Sequence, residues 1–237
     1  DKKFKRWDGG PGPEPALSKS KGLNRFVWDM RYPTMPGVPG VYIESSYAGH
    51  KAPPGKYTIT IKMGSQTVST EAEILANPLY PTTAAAYKEF DQVMTGMESE
   101  LTTMHRMVNS LYEKQQQLES LLGSLPEGDK FDAIKKDGEA LLKKMKAWDE
   151  DMVQRKSKAY DDVENFPNKF TANYLFMINQ TESDIPRVNQ PSLDRLKELN
   201  PQWTALKARA DEINGKDIPA FNKRLWDAGF GAIWKDQ

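Results

Sequence analysis

The sequence predicts an α+β protein in two parts, a small antiparallel β-sandwich followed by an antiparallel bundle of long helices. Residues 22–78 alternate apolar and polar side chains with the period of two that is typical of strands. Residues 79–237 instead repeat apolar side chains every three and four positions, which is the period of packed helices. Residues 1–21 are polar and rich in Gly, Pro and Lys, so we expect an irregular lead-in there.

The longest regular pattern predicts a first helix of about 40 residues, about 60 Å long at 1.5 Å per residue. Its apolar side chains form an a/d heptad seam: Tyr87, Phe90, Met94, Met97, Leu101, Met104, Val108, Leu111, Leu118 and Leu122. Thr82 or Thr83 can cap its first turn. A single helix cannot bury this seam on itself, so we expect the downstream helices to cover it. Gln115 is the polar position of the seam and either sets the register of the bundle or has drifted out of its core.

The β module is predicted to contain four strands, at residues 23–30, 41–43, 56–63 and 66–75. In the first strand Phe26, Trp28 and Met30 share the face expected to enter the core. In the third strand every second residue is apolar: Tyr57, Ile59, Ile61 and Met63. Gly64-Ser65 fits a type II′ hairpin turn between the last two strands. Four strands are few for a closed sandwich, so either preceding chain or another molecule is expected to complete the sheet.

Turn-forming residues divide the rest of the chain into further helices. We expect Asp129 to cap a second helix, residues 170–178 to form a third, and Ser192 to cap a fourth after a loop over residues 181–191. Pro201 should kink that fourth helix or start a new one, and Gly215 allows a break before the last apolar segment. Short loops between long helices favour an up-and-down, antiparallel arrangement.

Composition excludes several classes of function. Lys plus Arg and Asp plus Glu are both 33, so net charge gives no argument for nucleic acid or an anionic membrane as a partner. The chain has no Cys, and therefore no disulfide. No apolar run approaches the roughly 18 residues of a membrane span. The start at Asp1, without Met or an apolar signal region, leads us to expect a fragment or a processed product.

No residue pattern predicts catalysis, a metal site or a cofactor. The two histidines, His50 and His105, lie far apart in sequence, so we interpret them as surface or flanking side chains, and HExxH is absent. The many carboxylates fall between seam positions, where solvated charge is expected, and no Gly-x-Ser-x-Gly segment occurs. We therefore expect no catalytic residue.

Aromatic residues are the candidate contacts for a ligand or partner. Tyr32, Tyr42 and Tyr47 lie in or beside loops and could stack on a sugar ring. Near the carboxyl terminus Trp226, Phe230 and Trp234 recur every four residues, which is typical of an aromatic stripe on a helix. This stripe either closes the end of the bundle or docks a neighbour.

Three segments resemble a known group of proteins: residues 22–33 (GLNRFVWDMRYP), residues 54–61 (PGKYTITI) and residues 217–222 (DIPAFN). Together they are similar to the C-terminal region of exported bacterial proteins with sortilin-like or BNR-repeat β-propellers, often labelled glycosyl hydrolases. In that region an Ig-like module of the FlgD type precedes a helical bundle. The resemblance covers about residues 22–230 and implies an Ig-like sandwich and a periplasmic, cell-surface or secreted location. No catalytic residue of the group maps onto this chain.

These observations favour a non-catalytic structural or interaction module. We expect it to position an upstream β-propeller or to dock another protein of an envelope or surface complex. One alternative is a glycan-binding accessory module that uses the loop tyrosines. Another is the non-catalytic end of a glycoside hydrolase whose active site lies upstream.

Overall fold

The computed structural model describes residues 9–182 and 187–230, and its architecture is α+β. The elements, in chain order, are β1 (Gly55–Met63), β2 (Gln66–Ile74), α1 (Ala84–Ser124), α2 (Asp129–Met152), α3 (Asp162–Asn165), α4 (Phe170–Thr181), α5 (Gln190–Glu212), a π-helical segment (Ile213–Asp217) and α6 (Ile218–Asp227). Among the described residues the strands pair only with each other, as one antiparallel hairpin, and the helices form the bulk of that part of the molecule.

Helix α1 is the predicted rod, and its apolar seam is buried from Phe90 to Leu118, whereas Tyr87 and Leu122 at the two ends are only partly buried. Thr83 caps it by accepting a hydrogen bond from the Ala86 amide at 3.1 Å. The seam residues with no exposed surface are Met94, Leu101, Met104, Val108 and Leu118. Helices α2 and α4 pack along α1, so the expectation that downstream helices cover the seam is confirmed.

Helix α5 joins this bundle through two tryptophans and stays continuous through Pro201. The Trp148 indole of α2 donates to the carbonyl of Leu206 at 2.8 Å, and the Trp203 indole of α5 donates to Glu100 of α1 at 2.6 Å. Pro201 has no amide hydrogen, so one carbonyl in the preceding turn of α5 loses its donor. Pro201 lies on the exposed face of the helix, where water can hydrate that carbonyl. The helix therefore continues through Pro201, and the predicted new helix start is wrong.

Two predicted caps are also displaced. Helix α2 is preceded by Gly128 rather than capped by Asp129, and α5 is capped by Asn189, which accepts from the Ser192 amide at 2.8 Å. The break expected at Gly215 takes the form of the π-helical segment, which passes directly into α6.

The predicted strands at residues 23–30 and 41–43 are wrong, and the described residues form no sandwich. Residues 30–53, here called the strap, instead form a non-helical loop folded back on itself, with Met30–Met35 antiparallel to Tyr47–Ala52. The backbone hydrogen bonds that hold it run from Tyr32 to His50, Met35 to Tyr47 and Ala52 to Met30. In the described part of the chain no second sheet faces residues 26–30, so Phe26, Trp28 and Met30 are partly exposed rather than in a core.

The strap packs on the helical bundle and shares its core. Its buried apolar side chains are Met35, Val38, Val41, Ile43 and Tyr47. Asn179 of α4 holds the far end of the strap, accepting from the Ser46 amide at 2.7 Å and donating to its carbonyl at 2.9 Å. The sequence boundary at residue 78 therefore does not separate two cores, because residues before it complete the core of the helices.

None of the helices in the described part of the chain has the length and apolar character needed to cross a membrane.

Candidate functional site

The hairpin β1–β2 carries an apolar face that is largely exposed in the described part of the molecule. Because Ile61 lies opposite Val68 and Met63 lies opposite Gln66 in the register, the apolar side chains of both strands share one face. Ile61 is 55% exposed, Met63 70% and Val68 69%.

Both outer edges of the hairpin are open, and they differ in charge. No third strand pairs with β1 or β2 within the described ranges. On the polar face β1 carries Lys56 and Lys62, whereas β2 carries Glu71 and Glu73. A free edge with unpaired amide and carbonyl groups is a template for an added strand. The hairpin thus offers a basic edge and an acidic edge.

The root of the hairpin is fixed to the strap and to the segment just before it. The Tyr57 hydroxyl donates to the carbonyl of Pro53 at 2.6 Å, and the ring of Trp28 meets that of Tyr57 edge-on, with centroids 5.6 Å apart. Beside this root lies an open cavity of about 370 Å³, bounded by the strap, the end of β2 and the first turns of α1. Its wall includes Asp91, whose carboxylate also belongs to the buried network beneath.

His50 is the centre of that network and ties the strap to α1. Its ring has no exposed surface and lies between two carboxylates of the helix. Nδ1 is 3.0 Å from a Glu98 oxygen, and Nε2 is 3.1 Å from an Asp91 oxygen. The His50 backbone amide also donates to Glu98 at 2.8 Å. One residue of the strap therefore makes three polar contacts with one face of α1.

The electrostatics of the network favour the imidazolium form of His50. Burial alone would lower the pKa of His50, but the hydrogen bonds and negative charges of Glu98 and Asp91 outweigh burial and raise it. Tyr32 covers the ring, with centroids 4.4 Å apart, and its hydroxyl donates to Asp91 at 2.9 Å. Burial, followed by the hydrogen bond to Asp91, raises the pKa of Tyr32 to about 12.

This arrangement can hold the fold together but is poorly suited to acid–base catalysis. A general base needs a ring nitrogen within reach of a substrate proton, whereas both nitrogens of His50 already face carboxylates and the ring is enclosed. Across the described residues, no group of three His, Asp or Glu side chains is arranged to hold a metal ion. The network therefore has a structural role: it holds the strap on α1 beneath the hairpin.

The second histidine makes a different contact between the strap and α1. His105 is fully buried, and its Nδ1 donates to the carbonyl of Pro36 at 2.6 Å. Burial lowers its pKa to about 4, although the hydrogen bond to Pro36 acts in the opposite direction. The prediction that both histidines are surface or flanking residues is wrong, because the strap covers both of them.

The predicted contact residues do not form one surface. Tyr47 is buried, with its ring centroid 6.0 Å from that of His105, and the Tyr32 ring stacks on His50. Tyr42 is half-buried at another part of the strap. Tyr32, Tyr42 and Tyr47 therefore do not form a common surface on which a sugar ring could stack.

The carboxyl-terminal stripe is also divided. Trp226 is 70% exposed, whereas Phe230 packs edge-on against Phe131 of α2 with centroids 5.5 Å apart. Phe230 thus packs on the first turns of α2. Trp234 lies outside the described residues.

Sequence reasoning missed the His50 network because its members are 41 and 48 residues apart in sequence. One signal was present: Asp91 and Glu98 are seven residues apart, so they lie on one face of α1 beside the apolar seam. Nothing in the sequence indicated which residue would meet them.

Comparison of the chain with protein-family models, with curated proteins and with solved structures finds no match in any of the three.

Proposed function

We propose that this protein is a non-catalytic interaction module that presents the β1–β2 hairpin to a partner that contributes strands. The observation that carries the proposal is the exposed apolar face of the hairpin, at Ile61, Met63 and Val68, on a sheet with two open edges. A two-stranded hairpin is marginally stable alone, so a partner that covers this face would gain apolar burial and stabilise the hairpin.

The strap and the bundle support this role by giving the hairpin a fixed base. His50 joins the strap to α1 directly below the hairpin root, and the core beneath is continuous from the strap to α5. A rigid base lowers the entropy lost when a partner docks. The long helix α1 gives the mount a length of about 60 Å, at 1.5 Å per residue, so the module can also act as a spacer.

The partner that fits is a β-strand domain that completes an Ig-like sandwich with the hairpin. The added strand beside β1 should carry acidic side chains opposite Lys56 and Lys62, and one beside β2 should carry basic side chains opposite Glu71 and Glu73. The resemblance of residues 22–33 and 54–61 to exported propeller proteins favours a domain of that kind, an upstream β-propeller or another envelope protein, as the partner. The same resemblance favours a location outside the cytoplasm.

Site-specific photo-crosslinking in cells that produce the protein tests the proposal. A photoreactive residue at Ile61 points from the apolar face, and one at Thr60 points from the opposite, polar face of the same strand. We expect cross-links from Ile61 to one defined segment whose residues alternate between apolar and polar, and few from Thr60. The variant Ile61→Lys should abolish the cross-link made from a photoreactive residue at Val68 and leave the thermal stability of the bundle unchanged.

Two results would overturn the proposal. Equal yields from the two faces would mean that the apolar face is not the docking surface. A cross-link from Val68 that persists in the Ile61→Lys variant would mean that contact occurs without apolar burial.

A further inference from the structure

A second site lies further along α1, past its contacts with the strap, around the polar seam residue Gln115. Its side chain is only 7% exposed, yet no other described residue forms a hydrogen bond with its amide. The atoms of this amide are not among the buried, unpartnered polar atoms of the described residues, so the amide is open to the solvent of the cavity beside it. Within the described ranges, Gln115 also makes no hydrogen bond across helices of the kind that sets the register of a bundle.

The amide of Gln115 faces a cavity of about 430 Å³ between α1, α2 and the connection from α2 to α4. This volume is in the range of small-molecule sites. One wall is held rigidly: the Arg155 guanidinium lies 3.4 Å from the centroid of the Tyr112 ring and makes a two-point ion pair with Asp149, at 2.5 and 2.7 Å. Contacts with one another therefore hold the side chains of Tyr112, Asp149 and Arg155 in place on that wall of the cavity.

Charge identifies the kind of ligand. Four Lys and Arg side chains and three carboxylates line the cavity. Arg155 is paired with Asp149, and Lys146 lies 2.6 Å from Glu119, so these four charges are compensated. Of the remaining lining charges, Lys169 is half-buried and has no ion-pair partner in the described part of the chain, while Lys156 and Glu150 lie exposed at the rim. The cavity thus has one excess positive charge, which suits a monoanion better than a dianion.

We propose that this cavity binds a small hydroxylated monocarboxylate, such as a sugar acid or a hydroxy acid. The carboxylate would pair with Lys169 and Lys156. A hydroxyl of the ligand would exchange hydrogen bonds with the Gln115 amide, which can both donate and accept. The carboxylates that line the cavity accept hydrogen bonds from further hydroxyls and repel a second negative charge.

Titration of the folded protein with D-glucuronate, followed by two-dimensional NMR of backbone and Gln side-chain amides, tests this site. We expect saturable shifts centred on Gln115 and Lys169, with a Kd of about 1 mM, a typical value for a weak small-ligand site. D-Glucose, which lacks the carboxylate, and inorganic sulfate, which is a dianion at neutral pH, should each bind at least about tenfold more weakly, a difference of 1.4 kcal/mol.

Two substitutions and one control complete the test. Gln115→Met keeps the length of the side chain and should weaken glucuronate binding about tenfold or more, as should Lys169→Met. Gln116→Met changes the neighbouring, exposed position of α1 and should leave binding unchanged. Should Gln115→Met fail to fold, Lys169→Met decides the question, because that residue lies outside the core.

Absence of saturable shifts at the cavity with glucuronate would overturn the proposal and leave the Gln115 amide hydrated by water only. Glucose binding as tightly as glucuronate, or unchanged binding in Lys169→Met, would overturn the charge argument. None of these results bears on the hairpin, which lies on other elements of the fold.

Discussion

Replacement of His50 by Leu should remove the side-chain contacts of His50 that hold the strap on α1 and so destabilise the whole protein. The substitution removes two hydrogen bonds to carboxylates and leaves Glu98 and Asp91, whose side chains are 11% and 26% exposed, without their cation. Breaking a buried charged pair by removing one partner costs 3–5 kcal/mol, and the partial exposure of Asp91 reduces this, so we expect a loss of about 3 kcal/mol in the free energy of unfolding.

Urea denaturation followed by circular dichroism measures this loss, and a double-mutant cycle assigns it to the network. Glu98→Gln alone should cost about 1–2 kcal/mol, and the double variant should cost less than the sum of the two by about 1–2 kcal/mol. Glu89→Gln, an exposed carboxylate on the same helix, serves as the control and should change stability by less than about 0.5 kcal/mol.

The loss of stability caused by His50→Leu should depend on pH, and the direction of that dependence can be predicted. Because the folded protein raises the pKa of His50, the stabilisation by this residue is complete below its unfolded pKa, about 6.5, and is lost as pH rises through the folded value. The cost of His50→Leu should therefore be larger at mildly acidic pH than at alkaline pH. A cost below about 1 kcal/mol, strictly additive substitutions, or a cost that grows with pH would refute the reasoning.

Three further predictions concern other parts of the structure. Gly49→Ala should lower the free energy of unfolding by about 1–3 kcal/mol in urea denaturation, because the new Cβ would lie 2.5 Å from the Tyr32 carbonyl oxygen. The control Gly96→Ala lies on an open face of α1 and should raise that free energy by about 0.5–1 kcal/mol. An unchanged stability in Gly49→Ala would contradict the close approach of the strap backbone. The pKa of His105 is about 4 in the folded protein and about 6.5 in the unfolded chain. Lowering the pH from 7 to 4 should therefore reduce the free energy of unfolding of the wild type by about 3 kcal/mol more than that of a His105→Gln variant. Equal pH profiles of stability would show that this ring is not buried as a neutral group. Ile61→Lys should leave the melting temperature of the isolated protein within experimental error, because the side chain is 55% exposed, and a large drop would mean that the hairpin face is packed.

The helical half of the fold could be predicted because its signals are local. The heptad seam of α1 and the cap at Thr83 depend on residues three to seven positions apart, so sequence spacing alone locates the buried face. The type of element at residues 170–178 followed for the same reason. Pro201 was misjudged, since its effect depends on which face of α5 it occupies, and that face is set by tertiary packing.

The strap could not be predicted because its structure depends on contacts distant in sequence. Val41 and Ile43 have the β-branched side chains of a strand, yet they are buried against helices rather than against a second sheet. His50 is indistinguishable in sequence from a loop histidine, and only the meeting with Glu98 and Asp91 gives it a role. Gln115 was recognised as unusual, but its unpaired amide and its cavity were beyond sequence reasoning.

The central claim, that the hairpin is a docking surface on a rigid mount, is tested most directly by amide hydrogen exchange. The protein is compared alone and in the complex recovered after cross-linking from Ile61. We predict that the edge amides of β1 and β2 exchange rapidly in the protein alone and become strongly protected in the complex, while the amides of α1 are protected equally in both. Equal exchange of the hairpin in the two states, or protection gained on α1 instead, would contradict the account.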